Sequence, residues 1–324
     1  MKVLFIGGTG IISSAVSRMA VQRGIELYHF NRGKSHRKID GVINIEGNIR
    51  KVDEAKEILS NYSFDVVVNW ISFTPEQVQN DIDIFSGITE QYIFISSASA
   101  YEKPISKLPI TEETPLINPY WQYSRDKAEC EKILIEAWDT KKFPVTIVRP
   151  SHTYDNTLIP TDWGYTILDR MIRGEKIIIH GDGTSLWVLT HNSDFAVGFL
   201  GLFGKQKALG EAYHITSDEL LNWNQIYQFI ADELGVPLNY VHIPSDFIAK
   251  YDLEMGAGLL GDKANSVIFD NSKIKKLVPE FNCKIPFSEG VKEIVSWYRS
   301  NEKWQVVDER INARVDEIIA AYER

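Results

Sequence analysis

Short apolar runs alternate with amphipathic segments through the first 150 residues of the chain. The apolar runs are rich in β-branched residues and nearly continuous, which is typical of strands that helices cover on both faces. They predict strands at residues 3–6, 26–30, 42–45, 66–69, 92–95 and 145–148. The amphipathic segments predict helices at residues 13–23, 52–60, 75–85 and 123–138. This alternation indicates an α/β fold with a doubly wound parallel sheet.

The pattern changes after residue 150, where longer loops rich in Trp, Tyr and Gly separate the amphipathic segments. Helices are predicted at residues 164–173, 194–203, 223–234, 289–300 and 309–322. Ser193 and Asn222 stand directly before two of these helices, where capping side chains are expected. We therefore predict a first domain over residues 1–150 and a smaller lobe over residues 151–324, some segments of which return to the sheet.

Composition and charge narrow the classes of partner. The 324 residues include 35 Lys and Arg against 44 Asp and Glu, which gives a formal net charge of −9. Such a surface repels phosphate backbones and anionic lipid headgroups, so neither a nucleic acid nor a membrane is expected as a partner. Two cysteines are too few for a disulfide framework, and the first apolar run is far shorter than a membrane span of about 20 residues. We expect a cytoplasmic protein that acts on a small molecule.

A glycine-rich turn follows the first predicted strand. In the segment GGTGIIS, Gly7, Gly10 and Ser13 occupy the three positions of a G-x-x-G-x-x-G motif. Such a turn lets the backbone approach a pyrophosphate at the N-terminus of the next helix. Ser13 replaces the glycine that permits close packing of helix on sheet, so looser packing is expected there. The alternative is an ordinary connection from strand to helix. The motif favours a dinucleotide-binding Rossmann domain over residues 1–150 and a mostly substrate-binding lobe over residues 151–324.

The end of the second predicted strand bears on the choice of cofactor. Asn31 stands where an acidic residue would bind the ribose 2′-hydroxyl of NAD(H). Arg32, Lys34, Arg37 and Lys38 follow it and could bind a 2′-phosphate. The cluster favours NADP(H). In the alternative, these cations only face solvent, and Asn31 contacts the unphosphorylated ribose of NAD(H).

The first half also carries an acid/base pattern. Tyr123 and Lys127 are four residues apart at the start of a predicted helix, so their side chains share one face. The strand YIFI ends upstream in Ser96, Ser97 and Ser99. A neighbouring ammonium group and a positive nicotinamide favour the phenolate form of a tyrosine, and a serine hydroxyl can hold a substrate oxygen. When hydride leaves an alcohol carbon, a proton must leave its oxygen, and such a tyrosine can accept it.

The order of these motifs resembles the extended short-chain dehydrogenase/reductase family, which includes the nucleotide-sugar epimerases and dehydratases. The matching segments are GGTGIIS, EGNIR, FISSASAY, YSRDK, RPSHTY and GDGTSLWVLTHNSDFA. The resemblance implies that Tyr123 is the acid/base, that Lys127 lowers its pKa and holds the nicotinamide ribose, and that Ser97 binds the substrate oxygen. It also implies cofactor contacts at Gly7, Thr9, Gly10, Ile11, Ile12, Asn31, Arg32, Lys34, Asn48, Ile49, Trp70, Ser96, Tyr123, Lys127, Pro150 and His152.

The chain departs from the family at positions that bind substrate. Trp187, and Leu259 or Leu260, stand where nucleotide-sugar enzymes hold the diphosphate with arginines. Ala98 and Ser99 replace the Asp-Glu pair of the dehydratases. A nucleotide-diphosphate sugar and a dehydration are therefore not expected. We predict substrate contacts from the residues near the catalytic positions and from aromatic rings that can stack on sugars. They are Ser99, Trp121, His152, Tyr154 and Trp187.

These observations favour an NAD(P)-dependent oxidoreductase or epimerase that acts on a secondary alcohol or ketone of a carbohydrate-like substrate, without choosing between the two reactions. The resemblance also implies a homodimer through the helix that starts at Tyr123 and its neighbour from Pro75. In the alternative, the chain is a non-catalytic member that binds RNA or acts as a regulator, since its GGTG and GDGTSLWVLTH segments are similar to chloroplast stem-loop-binding relatives. The net charge of −9 and the Ser97, Tyr123 and Lys127 set argue against this alternative.

Overall fold

The computed structural model describes residues 1–35 and 37–324. Its strands, in chain order, are β1 (Lys2–Ile6), β2 (Glu26–Asn31), β3 (Ile43–Glu46), β4 (Val66–Asn69), β5 (Tyr92–Ile95), β6 (Val145–Pro150), β7 (His152–Tyr154), β8 (Ile177–His180), β9 (Leu186–Trp187), β10 (Leu189–His191), β11 (Ala212–Ile215), β12 (Leu221–Asn222) and β13 (Tyr240–Ile243). Its α-helices are α1 (Ile11–Gln22), α2 (Val52–Leu59), α3 (Pro75–Phe85), α4 (Gln122–Lys141), α5 (Tyr165–Ile172), α6 (Asn192–Leu200), α7 (Trp223–Leu234), α8 (Ser245–Ile248), α9 (Leu253–Gly258), α10 (Ser272–Leu277), α11 (Phe287–Ser300) and α12 (Glu309–Tyr322).

A seven-stranded sheet forms the centre of the molecule, with the strand order β11-β6-β5-β4-β1-β2-β3. Every neighbouring pair in it is parallel. The six strands predicted in the first half all lie in this sheet, which confirms the predicted α/β fold. The seventh strand, β11, comes from the second half and pairs with β6.

Helices cover both faces of the sheet. Along β1, Val3 and Phe5 pack in the layer that contains α1, α6 and α10. Leu4 and Ile6 pack in the opposite layer, with α2, α3 and α4. Because successive strand residues point to opposite faces, both sets must be apolar, and this explains why the strands are nearly continuous apolar runs.

The second half has its own core, built mainly from α5, α7 and α11 around short strands. A smaller cluster joins β13, α8 and α12. The predicted cap Asn222 is confirmed, because its side chain accepts a hydrogen bond from the Gln225 N–H group at the start of α7. The predicted cap Ser193 is wrong: α6 begins at Asn192, and the ring of His191 accepts the hydrogen bond instead. None of the helices in the described ranges is long and apolar enough to cross a membrane.

Candidate active site

The glycine turn forms a close backbone cradle between β1 and α1. Gly7 and Gly8 have φ values of 97° and 100°, a region that other residues rarely adopt. A Cβ atom on Gly8 would lie 2.5 Å from Nε2 of His29, which packs beneath the turn. The N–H groups in the first turn of α1 have no acceptor within the helix, and this turn contains no acidic residue. The turn therefore fits the pyrophosphate of a dinucleotide.

Ser13 has a structural role in this turn. The helix α1 begins at Ile11, two residues earlier than predicted, so Ser13 lies within its first turn. The Ser13 hydroxyl accepts a hydrogen bond of 2.8 Å from the Gly10 N–H group. Ser13 is also buried, so the serine fixes the start of the helix at the position where the motif has its third glycine.

Two adjoining cavities at the carboxyl edge of the sheet form one elongated cleft. A cavity of about 430 Å³ runs from the glycine turn to Tyr123, and one of about 480 Å³ lies over the ends of β2 and β3. They share Gly7, Thr9 and Ile71. All sixteen predicted cofactor residues line this cleft: Gly7, Thr9, Gly10, Ile11, Ile12, Trp70, Ser96, Tyr123, Lys127, Pro150 and His152 in the first cavity, and Gly7, Thr9, Asn31, Arg32, Lys34, Asn48 and Ile49 in the second. The shape and lining of the cleft fit a nicotinamide dinucleotide.

The basic cluster is divided in the structure. Arg32 and Lys34 line the second cavity. Arg37 does not, because its guanidinium group contacts Asp155 Oδ2 at 3.2 Å and donates to the Thr157 hydroxyl. The prediction that Arg37 belongs to a phosphate-binding cluster is therefore corrected. Arg50, which was not predicted, lines the cavity instead. Its position two residues after Asn48, in the EGNIR segment, is a signal that could have identified it.

Hydroxyl groups from two elements converge at the inner end of the cleft. Ser124, in the first turn of α4, donates a 2.8 Å hydrogen bond to the Ser99 hydroxyl. The hydroxyl oxygens of Ser99 and Ser97 are 2.9 Å apart, and Ser97 interacts in turn with the Tyr123 side chain. Ser96 points elsewhere, because its hydroxyl donates to the buried Glu131 carboxylate at 2.5 Å. Ser97 is therefore the serine beside Tyr123.

The ionisation of Tyr123 differs from the expectation. Burial raises its pKa, the Ser97 interaction lowers it in part, and the charge of Asp262 raises it further. Lys127, expected to lower the pKa of Tyr123, donates instead to the backbone carbonyls of Ser72 and Ile95 at 2.7 and 2.6 Å. Its ammonium group is 5.8 Å from the centre of the tyrosine ring. Tyr123 is therefore a neutral phenol at pH 7, the form that donates a proton.

A third cavity, of about 360 Å³, opens from the same end of the cleft and also contains Ser97 and Tyr123. Of the predicted substrate residues, four line it: Ser99, Trp121, His152 and Trp187. The Trp187 ring is 2% exposed, and its N–H group donates to Nδ1 of His152 at 3.1 Å. Burial lowers the pKa of His152 to about 3, so this imidazole is neutral. Trp187 thus supports His152 rather than offering a free ring face.

Tyr154 is not part of the site. Its ring is buried in the core and packs edge-to-face against His191 and Phe287. The ring fills the space between β10 and α11, so the prediction that Tyr154 contacts substrate is corrected. Another set of residues lines the third cavity although no sequence pattern predicted it, consisting of Thr161, Asp162, Asp262 and Lys263.

Comparisons with known proteins agree with this arrangement. The sequence profile of the NAD dependent epimerase/dehydratase family matches residues 3–216. The chain is 28% identical over 252 residues to the chloroplast stem-loop binding protein of 41 kDa b from Arabidopsis thaliana, a match of 73% of this chain and 64% of that protein. The chain thus spans less than two thirds of that relative.

Two further proteins match almost the whole chain. It is 23% identical to the 2'-dehydrokanamycin reductase of Streptomyces kanamyceticus, over 99% of this chain and 90% of that protein. The crystal structure of dTDP-glucose 4,6-dehydratase from Bacillus anthracis, in complex with NAD, has the same fold, with a TM-score of 0.74, 21% identity and coverage of 94% of this chain and 98% of that one.

Proposed function

Because this chain belongs to the NAD dependent epimerase/dehydratase family, we propose that it transfers hydride between a nicotinamide cofactor and a secondary alcohol or ketone of a carbohydrate-like substrate. The observation that carries the proposal is the position of Ser97 and Tyr123, which line both the dinucleotide cleft and the third cavity. A substrate in that cavity would place its reacting oxygen beside two hydroxyl groups and its reacting carbon towards the cleft.

The roles of the side chains follow from their contacts. The cofactor, when bound, supplies or accepts the hydride. Tyr123 donates the proton that the substrate oxygen needs in the direction of reduction, since burial keeps its phenol protonated. Ser97 orients the substrate oxygen, and Ser99 holds Ser97 in place. Lys127 uses two N–H groups on backbone carbonyls, which leaves one for a ribose hydroxyl.

We also propose that the substrate lacks a nucleotide diphosphate. The family resemblance leads one to expect diphosphate-binding arginines at two positions, of which Trp187 fills the first and Leu259 or Leu260 the second. Trp187 and Leu259 are buried, and Leu260 is half-buried. The lysine that lines the third cavity, Lys263, lies 3.4 Å from the Asp162 carboxylate and is therefore already paired. The similarity to a protein named 2'-dehydrokanamycin reductase supports a substrate without a nucleotide and a reductive reaction.

The test replaces the proton donor. We expect Tyr123→Phe to lower ketone reduction by a factor of about 100 or more, because it removes general acid catalysis. Tyr120→Phe is the matched control, since Tyr120 is exposed. Oxidation of NADPH or NADH at 340 nm, measured with a panel of keto sugars, gives the rates. Unchanged turnover in Tyr123→Phe would disprove the mechanism. Net consumption of cofactor identifies a reductase, whereas interconversion of sugars without net consumption identifies an epimerase.

The similarity to the Arabidopsis stem-loop binding protein favours a second candidate, RNA binding. The net charge of −9 makes wide contact with a phosphate backbone unfavourable. Filter binding with a stem-loop RNA tests this candidate. The salt concentration is varied from about 50 to about 200 mM, because contacts with phosphates weaken strongly over this range. Tight binding at the upper salt concentration, together with no reduction of any ketone, would favour it over the enzyme.

A further inference from the structure

Charged side chains line the third cavity on the side contributed by the second half of the chain, and hydride transfer does not need them. Asp162, Asp262 and Lys263 all line the cavity. Lys263 Nζ is 3.4 Å from Asp162 Oδ1, and Asp262 Oδ1 is 3.6 Å from Nζ of Lys103. The cavity therefore contains carboxylates whose charges are matched by lysines.

Two polar groups have unfilled hydrogen bonds, Thr161 in this wall and Lys103, which lies behind Asp262 and does not line the cavity. The Lys103 side chain has no exposed surface, and its ammonium group has no hydrogen-bond partner among the described residues. The hydroxyl of Thr161, which lines the cavity, is also buried and lacks a partner within the same part of the chain. Buried polar groups are normally hydrogen-bonded, so the unfilled hydroxyl of Thr161 in the cavity wall indicates a ligand that completes it.

We propose that Thr161, Asp262 and Lys263 form a subsite for neighbouring hydroxyl groups of an uncharged sugar or cyclitol ring, with Lys103 as the buried counter-ion of Asp262. Each sugar hydroxyl both donates and accepts, which suits a carboxylate acceptor placed next to an ammonium donor. Because the carboxylates are balanced by lysines, the wall offers no excess charge to an ionic substrate. This inference rests on the proposed function, since it specifies the substrate class of the same cavity.

The segment that carries Asp262 is fixed relative to the catalytic groups. Asn118 donates to the backbone carbonyls of both Ser99 and Gly261, at 2.8 and 2.7 Å. The charge of Asp262 also acts on Tyr123. Hydroxyl groups bound at Asp262 would therefore belong to ring carbons close to the reacting carbon.

The experiment compares two ketones that share a six-membered ring, cyclohexanone and pentahydroxycyclohexanone, with NADPH and with NADH. We expect the wild-type enzyme to prefer the hydroxylated ketone in kcat/KM. We expect Asp262→Asn to lower that preference by about tenfold or more, because the carboxylate charge that strengthens the hydrogen bonds from the ring hydroxyls is lost. Thr161→Val should also lower it and should keep its stability, since the removed hydroxyl has no partner. Asp246→Asn, at an exposed position on α8, is the control.

The outcomes separate the two proposals. If both ketones are reduced and the preference is the same in the wild type and in both folded variants, the subsite is disproved while the proposed function stands. If neither ketone is reduced, saturation-transfer NMR on the cofactor-loaded protein with myo-inositol shows whether the subsite binds a hydroxylated ring. A signal that disappears in Asp262→Asn supports the subsite, and no wild-type signal overturns it. Stronger binding of glucosamine or glucose 6-phosphate than of myo-inositol overturns the uncharged class.

Discussion

At the residue scale, Arg32 and Lys34 are the cations of the predicted basic cluster that line the cleft. We propose NADP(H) as the preferred cofactor, and we expect Arg32→Ala to weaken NADPH binding by about tenfold or more, because a charge-assisted bond to the 2′-phosphate is lost. NADH binding should change little. Arg37→Ala is the control, since Asp155 already holds that guanidinium group. Calorimetric titration with both cofactors measures the effect, and a wild-type protein that binds NADH more tightly would contradict the prediction.

The residues of the site differ in how far the sequence could predict them. The family resemblance predicts Ser97 and Tyr123. Local order then brings them together, since one follows a strand and the other lies in the first turn of a helix at the same edge of a parallel sheet. The burial of Tyr154 follows from contacts with β10 and α11, which are distant in the sequence. Asp262 and Lys263 were missed because no periodic pattern marks a loop residue that tertiary packing brings to a cavity.

At the element scale, the π-helical turn Leu259–Lys263 positions the wall of the third cavity. A Cβ atom on Gly261 would lie 2.9 Å from Cβ of Trp121, so the turn can approach α4 only with glycine at this position. We expect Gly261→Ala to displace the turn and lower kcat/KM for the substrate by roughly tenfold to a hundredfold, with little change in cofactor affinity. Gly258→Ala is the control, because the added methyl group would meet only Nζ of Lys263 at 3.8 Å. Equal effects of the two variants would contradict the prediction.

Helices and buried strands of the first half could be predicted better than the short strands of the second half. The bounds predicted for β4, β5, α3, α7 and α12 are those observed, because a buried strand or an amphipathic helix is encoded by its own residues. The strands β9 and β12 have two residues each and exist only because they pair with each other across more than thirty residues. A two-residue strand carries no alternation of its own, so its sequence does not reveal it.

At the scale of the whole molecule, the site lies where the two halves of the chain meet. The glycine turn, Ser97 and Tyr123 come from the first half, and Thr161 and Asp262 come from the second. The strand β11 anchors the second half in the sheet beside β6. Both sides of the predicted boundary near residue 150 thus contribute to one sheet and one site. The division into a cofactor-binding domain and a substrate-binding lobe stays a prediction. The net charge of −9 is a sum over the whole chain. It does not describe the local charge of the cleft, which is basic, or of the third cavity, in which acidic and basic side chains balance each other.

Acid should destabilise the whole molecule because it folds around neutral histidines. Burial lowers the pKa of His29 to about 4 and of His152 to about 3, and it also lowers those of His180 and His214. Their stabilising contribution is present above the unfolded pKa of about 6.5 and is lost as the pH falls towards the folded values, by roughly 1 kcal/mol per pH unit for each histidine. Two carboxyl groups oppose this, since burial raises the pKa of Asp81 to about 6 and also raises that of Asp262, so that acid relieves their buried charges.

Four histidines outweigh two carboxyl groups, so the free energy of unfolding should fall between pH 7 and pH 5. Urea denaturation at several pH values measures it. His29→Gln should make the free energy of unfolding less dependent on pH, by the roughly 1 kcal/mol per pH unit that one histidine contributes. At pH 8, where the imidazole of His29 is neutral in both states, the difference between this variant and the wild type reports packing and the lost contact with Ser17 alone. A free energy of unfolding that stays constant or rises on acidification would show that the folded protein takes up these protons as readily as the unfolded chain does.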